Sequence, residues 1–499
     1  MNTLTRMCAA LVGLGLVEAT LGTACSHFED DCERAHDCPP GTDGGTPAGC
    51  DPSKNKGPVA NTCGVFVSPN GSDGSVGTKG QPLKTIKAAL AKGATIYACA
   101  GAMPFDEAVT IDKAATLFGS LDCASWVYDA SKKTQLTAKA DAVPLTIGSS
   151  AGTSEVSDFA ITSASAKKDG GSSIAVVVNG AGTSFTRCDL AAGDGNDGVA
   201  GASGGTQAAQ AKPGLAGDGA ASAAQSGGKG GSNLVCSLAG GDGGGGGAVM
   251  NGNGGDGATG DGGNGGPGGI GDTGTGCHLN GDPNGSNGGG GTLGLGASGV
   301  GSIDASGYHG GDGQPGMDGT HGKSGGGGGG SKASNTVHGA GGGGGGAGGC
   351  GGKLGTGGKA GGSSIALVSV GATVTMTSCT LKSGKGANGG AGGDGQFGQF
   401  GGDAGTKGAG SGNVSPACAG GAGGKGGDGG DGGGGLGGHS FAIAATGAAP
   451  VLDAATKSAS TPGTNGKGGK GGNMDASMNH GADGVAAACW DFGSKVACK

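Results

Sequence analysis

Short runs of alternating apolar and polar residues recur between positions 65 and 190. They read VFV at 65–67, ATIYAC at 94–99, AVTID at 108–112, ATLFG at 115–119, TQLTA at 134–138, PLTIG at 144–148, VSDFAI at 156–161, SIAVVV at 173–178 and SFTRCDL at 184–190. Period-two patterning bounded by turn residues predicts β-strands with one buried face. In the last run, Phe185, Arg187 and Asp189 are expected on one face, and Thr186, Cys188 and Leu190 on the other. One helix interrupts the strands: LKTIKAALA spaces Leu83, Ile86 and Leu90 at helical intervals. Short strands at a repeat of about 20–25 residues are expected to stack as a solenoid, each unit burying the face of the last.

One phrase occurs twice. GGSSIAVVVNG at 170–180 returns as GGSSIALVSVG at 361–371, and a fainter copy, GGHSFAIAATG, begins at Gly437. An offset of 191 positions aligns Ile174 with Ile365, Val177 with Val368, Cys188 with Cys379 and Leu190 with Leu381. Both copies then run into glycine. We read the copies as successive units of one solenoid, and the glycine tracts as loops inserted at one edge. Loop-closure cost grows only slowly with length, so long insertions are tolerated. Separate domains are the alternative, but one strand pair does not make a domain. The expected organisation is a signal peptide at 1–24, a Cys/Pro/Gly-rich tether at 25–62 and a capped β-solenoid at 63–190. A glycine-rich insertion at 191–362, a rung at 363–383, a second insertion at 384–438, and a last rung with a C-terminal cap at 439–499 follow.

Composition sharpens the problem of the insertions. Of 499 residues 134 are Gly, and aromatics make up 3%, so no conventional core spans the whole chain. With only 16 Pro a collagen helix is excluded. GGDGATGDG at 254–262 has the aspartate spacing of a calcium β-roll but lacks its apolar position. Two readings remain. Glycine falls at every third position from 254 to 269 and from 420 to 438, which suits packed threefold extended helices, a polyglycine-II-like bundle. The other reading is a flexible coil. Thr373, Thr375 and Thr377 form a short threonine row, but a flat ice-binding ladder needs many more such rungs.

The N-terminus predicts export. Arg6 precedes the apolar run CAALVGLGLV and the small-residue stretch LGTAC ending at Cys25, a signal-peptide pattern too short to span a membrane. The stretch resembles a bacterial lipobox, which makes Cys25 the candidate lipidation site; plain secretion is the alternative. With Cys8 removed and Cys25 lipidated, fourteen of the 16 cysteines remain for an oxidising compartment. Cys99 and Cys123, 24 positions or about one rung apart, are a candidate disulfide, with two buried thiols as the alternative. Cys489 and Cys498 are candidates for a closing loop over Trp490 and Phe492. Cys32, Cys38, Cys50 and Cys63 are expected to staple the tether. No CxxC pair or oriented histidine cluster points to a metal, and no cofactor is expected.

The stretch CGVFVSPNGSDGSVGTKGQPLKTIKAALAKGATIYACAG at 63–101 resembles the N-terminal cap of right-handed parallel β-helix proteins, the pectate-lyase-like superfamily. The resemblance extends more loosely to Leu190. It implies an all-β fold, a right-handed parallel β-helix solenoid with long glycine-rich insertions. Many such proteins cleave polysaccharides with acidic calcium ligands and an Arg or Lys base. Arg187 beside Asp189 is the one such arrangement here, and Asp106, Glu107, Asp112, Asp122 and Asp158 are carboxylates that stacking could gather. The tether CSHFEDDCERAHDCPP and the cap together resemble glycine-rich surface lipoproteins of environmental bacteria such as myxobacteria; Ser26 after the lipidated cysteine then implies the outer membrane. Net charge is −8 and only three arginines occur, which argues against nucleic acid. The expected role is non-catalytic, structural or adhesive, on a lipid-anchored cell-surface protein that meets envelope polysaccharide or other envelope proteins. A polysaccharide-binding or polysaccharide-cleaving protein is the alternative.

Overall fold

In a computed structural model, the structure describes residues 49–499 apart from 56, 207–208, 221–224, 473–478 and 499. Among the described residues strands dominate the regular structure, with two short α-helices, Ile86–Leu90 and Ala454–Ser458. Consecutive strands enter different sheets. Thr153–Ser157 joins a first sheet, Phe159–Ser163 a third, Ser173–Asn179 a second, and Gly182–Thr186 returns to the first. Each pass adds one parallel strand to all three sheets.

Three apolar ladders follow from that register. Ile96, Leu117, Val156, Phe185 and Met376 lie side by side in the first sheet. Phe105, Leu136, Ile161, Leu190 and Leu381 do so in the third. Val109, Leu145, Val176, Leu367 and Ile443 complete the set in the second. All are buried in one cluster, and each large aliphatic side chain there contributes about 2 kcal/mol.

The repeated phrase is the register of the second sheet. Ser173–Asn179 pairs with Ser364–Val370, Ile174 opposite Ile365 and Val177 opposite Val368, and Ser440–Thr446 pairs next with Phe441 opposite Ile365. These strands are apolar without alternation because both faces are buried. Val176, Leu367 and Ile443 face the core, while Ile174, Ile365, Phe441 and Val368 pack under Ile303, Tyr308, Trp490 and Phe492. That cover is a hairpin, Ser302–Asp304 with Gly307–His309, together with Phe492, which follows Ala486–Asp491, the next parallel strand of the same sheet.

Two expected strands are broken. The run at 156–161 divides at Asp158, and the run at 184–190 divides at Arg187 and Cys188 into Gly182–Thr186 and Asp189–Ala192. Asp158 (φ 64°), Arg187 (φ 52°) and Ser378 (φ 55°) follow the aligned residues Ser157, Thr186 and Thr377, turning the chain from the first sheet to the third. Leu83 precedes the helix, which starts after the Thr85 cap; Leu83 bridges to Val67 instead.

The glycine tracts leave the third sheet after Ala192 and Lys382 and return to the second at Ser364 and Ser440. Among the described residues, their segments are extensively hydrogen-bonded to one another. Gly343, Gly344 and Gly345 donate in turn to the carbonyls of Cys418, Leu215 and Gly241, in three different segments, and Gly346 returns to the first segment at Gly421. A donor direction that repeats every three residues is that of an extended threefold helix. Segments 340–352 and 430–440 are surrounded, so every residue there but Gly351 is buried, and 421–429 alternates buried and half-buried positions. A Cβ on Gly346 would lie 2.0 Å from the carbonyl oxygen of Gly402, and one on Gly426 would lie 2.0 Å from that of Cys350. Only glycine permits that approach.

Candidate functional site

The sequence placed Arg187 and Asp189 together as the one arrangement with catalytic character. The structure separates them. The corner at Arg187 rotates its side chain away from the following strand, and its Nε and Nη2 each donate to Asp158, at 2.7 Å. Tyr128 donates its hydroxyl to the same carboxylate at 3.0 Å. Asp158 is 4% exposed, and its hydrogen bonds raise the guanidinium pKa beyond its already high value. Asp189 pairs instead with Lys133 at 2.7 Å. A bidentate pair of this kind ties the ends of two neighbouring strands together, and it occupies the guanidinium donors that face Asp158.

The other carboxylates are not gathered. Glu107 accepts from the N–H groups of Ile86 and Lys87, capping the short helix, and its burial raises its pKa. Asp122 closes a turn onto Ala124 and Ser125, whose donors hold its carboxyl below the usual range. Asp106 and Asp112 face solvent. Among the described residues, no group of three or more His, Cys, Asp or Glu is placed to hold a metal.

The glycine network carries a recurring polar arrangement at its edges. Four times among the described residues, a lysine donates Nζ to one carboxylate oxygen while the next backbone N–H donates to the other. Lys229 and Gly230 clasp Asp242, at 2.7 and 2.9 Å. Lys353 and Leu354 clasp Asp318, at 2.9 and 2.9 Å. Lys359 and Ala360 clasp Asp312, at 2.8 and 2.9 Å. Lys467 and Gly468 clasp Asp483, at 2.8 and 2.9 Å. The ammonium groups of Lys353 and Lys467 hold Asp318 and Asp483 below the usual carboxylate range. Each clip ties neighbouring segments from outside, where period three leaves one side chain in three free to point outward.

Cysteine staples the same architecture. Cys99–Cys123 and Cys489–Cys498 are disulfides, as is Cys50–Cys63 beside the first sheet. Sequence reasoning did not pair Cys236–Cys350 and Cys277–Cys418, which cross the glycine network. Cys188 and Cys379 remain thiols, buried at aligned corners, and the N–H of Cys188 donates to Sγ of Cys379 at 3.3 Å. Burial pushes the Cys188 thiol up. Cys25, Cys32 and Cys38 lie outside the described residues.

His439 sits where the network meets the second sheet. Its Nδ1 accepts from the N–H of Val485 and its Nε2 donates to the carbonyl of Val300, at 2.8 and 2.9 Å. Those partners fix the neutral ring, and burial against Tyr308, Phe441 and Phe492 lowers its pKa to about 4. No protein-family model, curated protein or solved structure matches the chain.

Proposed function

We propose that this is an exported, lipid-anchored cell-surface protein with a structural or adhesive role, in which a right-handed parallel β-helix carries a rigid polyglycine-II-like bundle. The observation that carries the reading is the period-three hydrogen bonding of the glycine tracts, in which Gly343 to Gly346 address three neighbours in turn. A chain that places most of its 134 glycines in an interlocked array builds a stiff body, which suits display rather than turnover of a substrate. The three parallel sheets, advanced one strand per pass, support the β-helix. The resemblance of residues 63–101 to a β-helix cap supports its right-handed form. Five disulfides among the described residues favour an oxidising compartment. Anchoring at Cys25, outer-membrane sorting through Ser26 and contact with envelope polysaccharide or proteins are parts of the same proposal. The engagement of Arg187 by Asp158 favours the non-catalytic role over polysaccharide cleavage.

The test is cell-surface staining and attachment of intact cells producing the chain, compared with cells producing Cys25→Ala. Staining without permeabilisation and attachment to surfaces, both lost in Cys25→Ala, are expected. Staining only after permeabilisation, or cleavage of a polysaccharide by the purified protein, would overturn the proposal.

A further inference from the structure

Asparagine is followed by glycine at ten places in the chain. Glycine has no side chain to shield its nitrogen and a backbone that turns freely. An Asn–Gly pair therefore closes on itself wherever that nitrogen is free to swing onto the asparagine side chain. At nine of the ten places the structure withholds the nitrogen. The N–H groups of Gly71, Gly180, Gly252, Gly254, Gly265 and Gly466 each donate to a backbone carbonyl, at 2.8 or 2.9 Å. At the other three the grip is double. The N–H groups of Gly285, Gly288 and Gly389 donate to the carbonyls of Ala422, Lys425 and Lys467. The N–H groups of those same three residues donate to Oδ1 of Asn284, Asn287 and Asn388, at 2.8, 2.8 and 2.9 Å. Nitrogen and side chain are thus both held on a neighbouring segment.

Asn280–Gly281 is the exception. Residues 278–282 are all exposed. Among the described residues, no acceptor faces the Gly281 N–H and no hydrogen bond reaches the Asn280 side chain. The chain is tied on either side of the pair instead. Cys277 is bonded to Cys418, His278 and Ile270 exchange backbone hydrogen bonds, and the Pro283 carbonyl accepts from Gly326. The short stretch between those ties has no hydrogen bond to break before it moves.

We propose that Asn280–Gly281 is a site of spontaneous covalent modification, at which the chain converts its own amide to a carboxylate with water as the only co-reactant. The Gly281 nitrogen attacks Cγ of Asn280 and gives up its proton. The new C–N bond closes a cyclic imide, the Cγ–Nδ2 bond breaks, and Nδ2 leaves as ammonia with that proton. Water then opens the ring, its hydroxyl going to a carbonyl carbon and its remaining proton to the imide nitrogen. Opening at Cγ leaves an aspartate. Opening at the main-chain carbonyl carbon leaves an isoaspartate, in which the backbone runs through the side-chain methylene. Either product adds one negative charge two positions from Asp282, in a chain whose net charge is already −8. The ties at Cys277 and Pro283 confine the change to the loop, so the glycine network keeps its bonds. Each molecule thereby gains a surface charge that records its age. The protection of the other pairs from Asn251 onward rests on the ordered bundle proposed above; that of Asn70 and Asn179 does not.

The experiment is prolonged incubation of the disulfide-intact protein at neutral pH in heavy-oxygen water, followed by peptide mapping by mass spectrometry at all ten pairs. Heavy oxygen enters only carboxylates made during the incubation. A reduced, denaturant-unfolded sample runs in parallel, and melting of the folded protein is measured before and after. Asn280 is expected to convert at least about tenfold faster than each of the other nine, whose amides react only after local opening, with melting unchanged. In the unfolded sample all ten are expected to convert at similar rates. Asn280→Gln is expected to remove the main acidic species that the folded protein develops on ion exchange. Conversion at Asn280 no faster than at the other pairs, or an acidic species that persists in Asn280→Gln, would overturn the inference. Slow conversion at all ten pairs of the folded protein would sink this inference alone. Fast conversion at every pair from Asn251 onward, with Asn70 and Asn179 protected, would sink the ordered bundle as well.

Discussion

The backbone N–H of Lys385 donates to Oδ1 of Asp194 at 2.7 Å, and the two residues are 191 positions apart. That offset is also the register of Ile174 with Ile365 in the second sheet. It persists further, with Asn388 donating to Asp197 at 2.7 Å and Asp394 to Ser203 at 3.2 Å. The repeat that stacks the strands thus runs on, without a break in phase, into the glycine tracts. The same alignment that builds the sheets starts the glycine segments side by side.

Glycines at enclosed positions are therefore structural. Gly346→Val sets a side chain against the carbonyl of Gly402, 2.0 Å from the Cβ position, and is expected to destabilise by about 2–3 kcal/mol, the range for overpacking. Gly289→Ala, where the nearest neighbouring atom lies 3.7 Å away, is expected to be neutral or stabilising by up to about 1 kcal/mol through the unfolded state. Denaturant melts of the two variants check the contrast; equal losses would contradict it.

Arg187→Ala leaves the carboxylate of Asp158, 4% exposed, with Tyr128 as its remaining side-chain donor. The expected cost is about 2–3 kcal/mol, the penalty for stranding a buried charge with the partner's own exposure discounted. Arg187→Lys is expected to recover part of it, because one ammonium does not reproduce two parallel donors. Urea unfolding of both variants measures this.

His439 makes stability pH-dependent. Its folded pKa of about 4 lies below the value of about 6.5 in an unfolded chain. The unfolded state therefore takes up the proton first. The stability contributed by the neutral ring is present above about pH 6.5 and is lost as pH falls toward about 4, by about 1.4 kcal/mol per unit and about 3 kcal/mol in all. His439→Gln is expected to remove that part of the slope. Melts of both proteins at several pH values in this window give the difference directly, and parallel curves would contradict it.

The two disulfides across the network close long loops, with separations of 114 and 141 residues. Losing the bond in Cys277→Ser/Cys418→Ser is expected to cost about 3–5 kcal/mol, as chain-entropy arguments give for loops of this length. Loss of protection is expected mainly around segments 265–297 and 414–435, while the strand ladders keep theirs. Exchange on that double variant tests it.

Much of this was legible from residue pattern. The strand runs, the 191-residue offset and the pairs Cys99–Cys123 and Cys489–Cys498 are visible in the residues themselves. The corners were not, because Asp158 and Arg187 carry no glycine or proline to mark a left-handed turn, and an alternating run read through them. That misreading set Arg187 beside Asp189 rather than Asp158. The strand Thr153–Ser157 is mostly polar and gave little apolar signal. The order of the glycine tracts was equally hidden, since it resides in backbone bonds between distant segments, such as Gly344 to Leu215, and glycine has no side chain with which to announce a partner. The lysine–aspartate clips could have been sought as charged residues recurring at outward positions of the period-three runs.

The central claim is that the glycine tracts are a hydrogen-bonded body. Hydrogen exchange of the disulfide-intact protein, followed at residues 340–352 and 420–435, tests it most directly. The account predicts amides there as slow as those of Ser173–Asn179. Exchange at the rate of an unstructured chain, beside a protected set of strands, would contradict it.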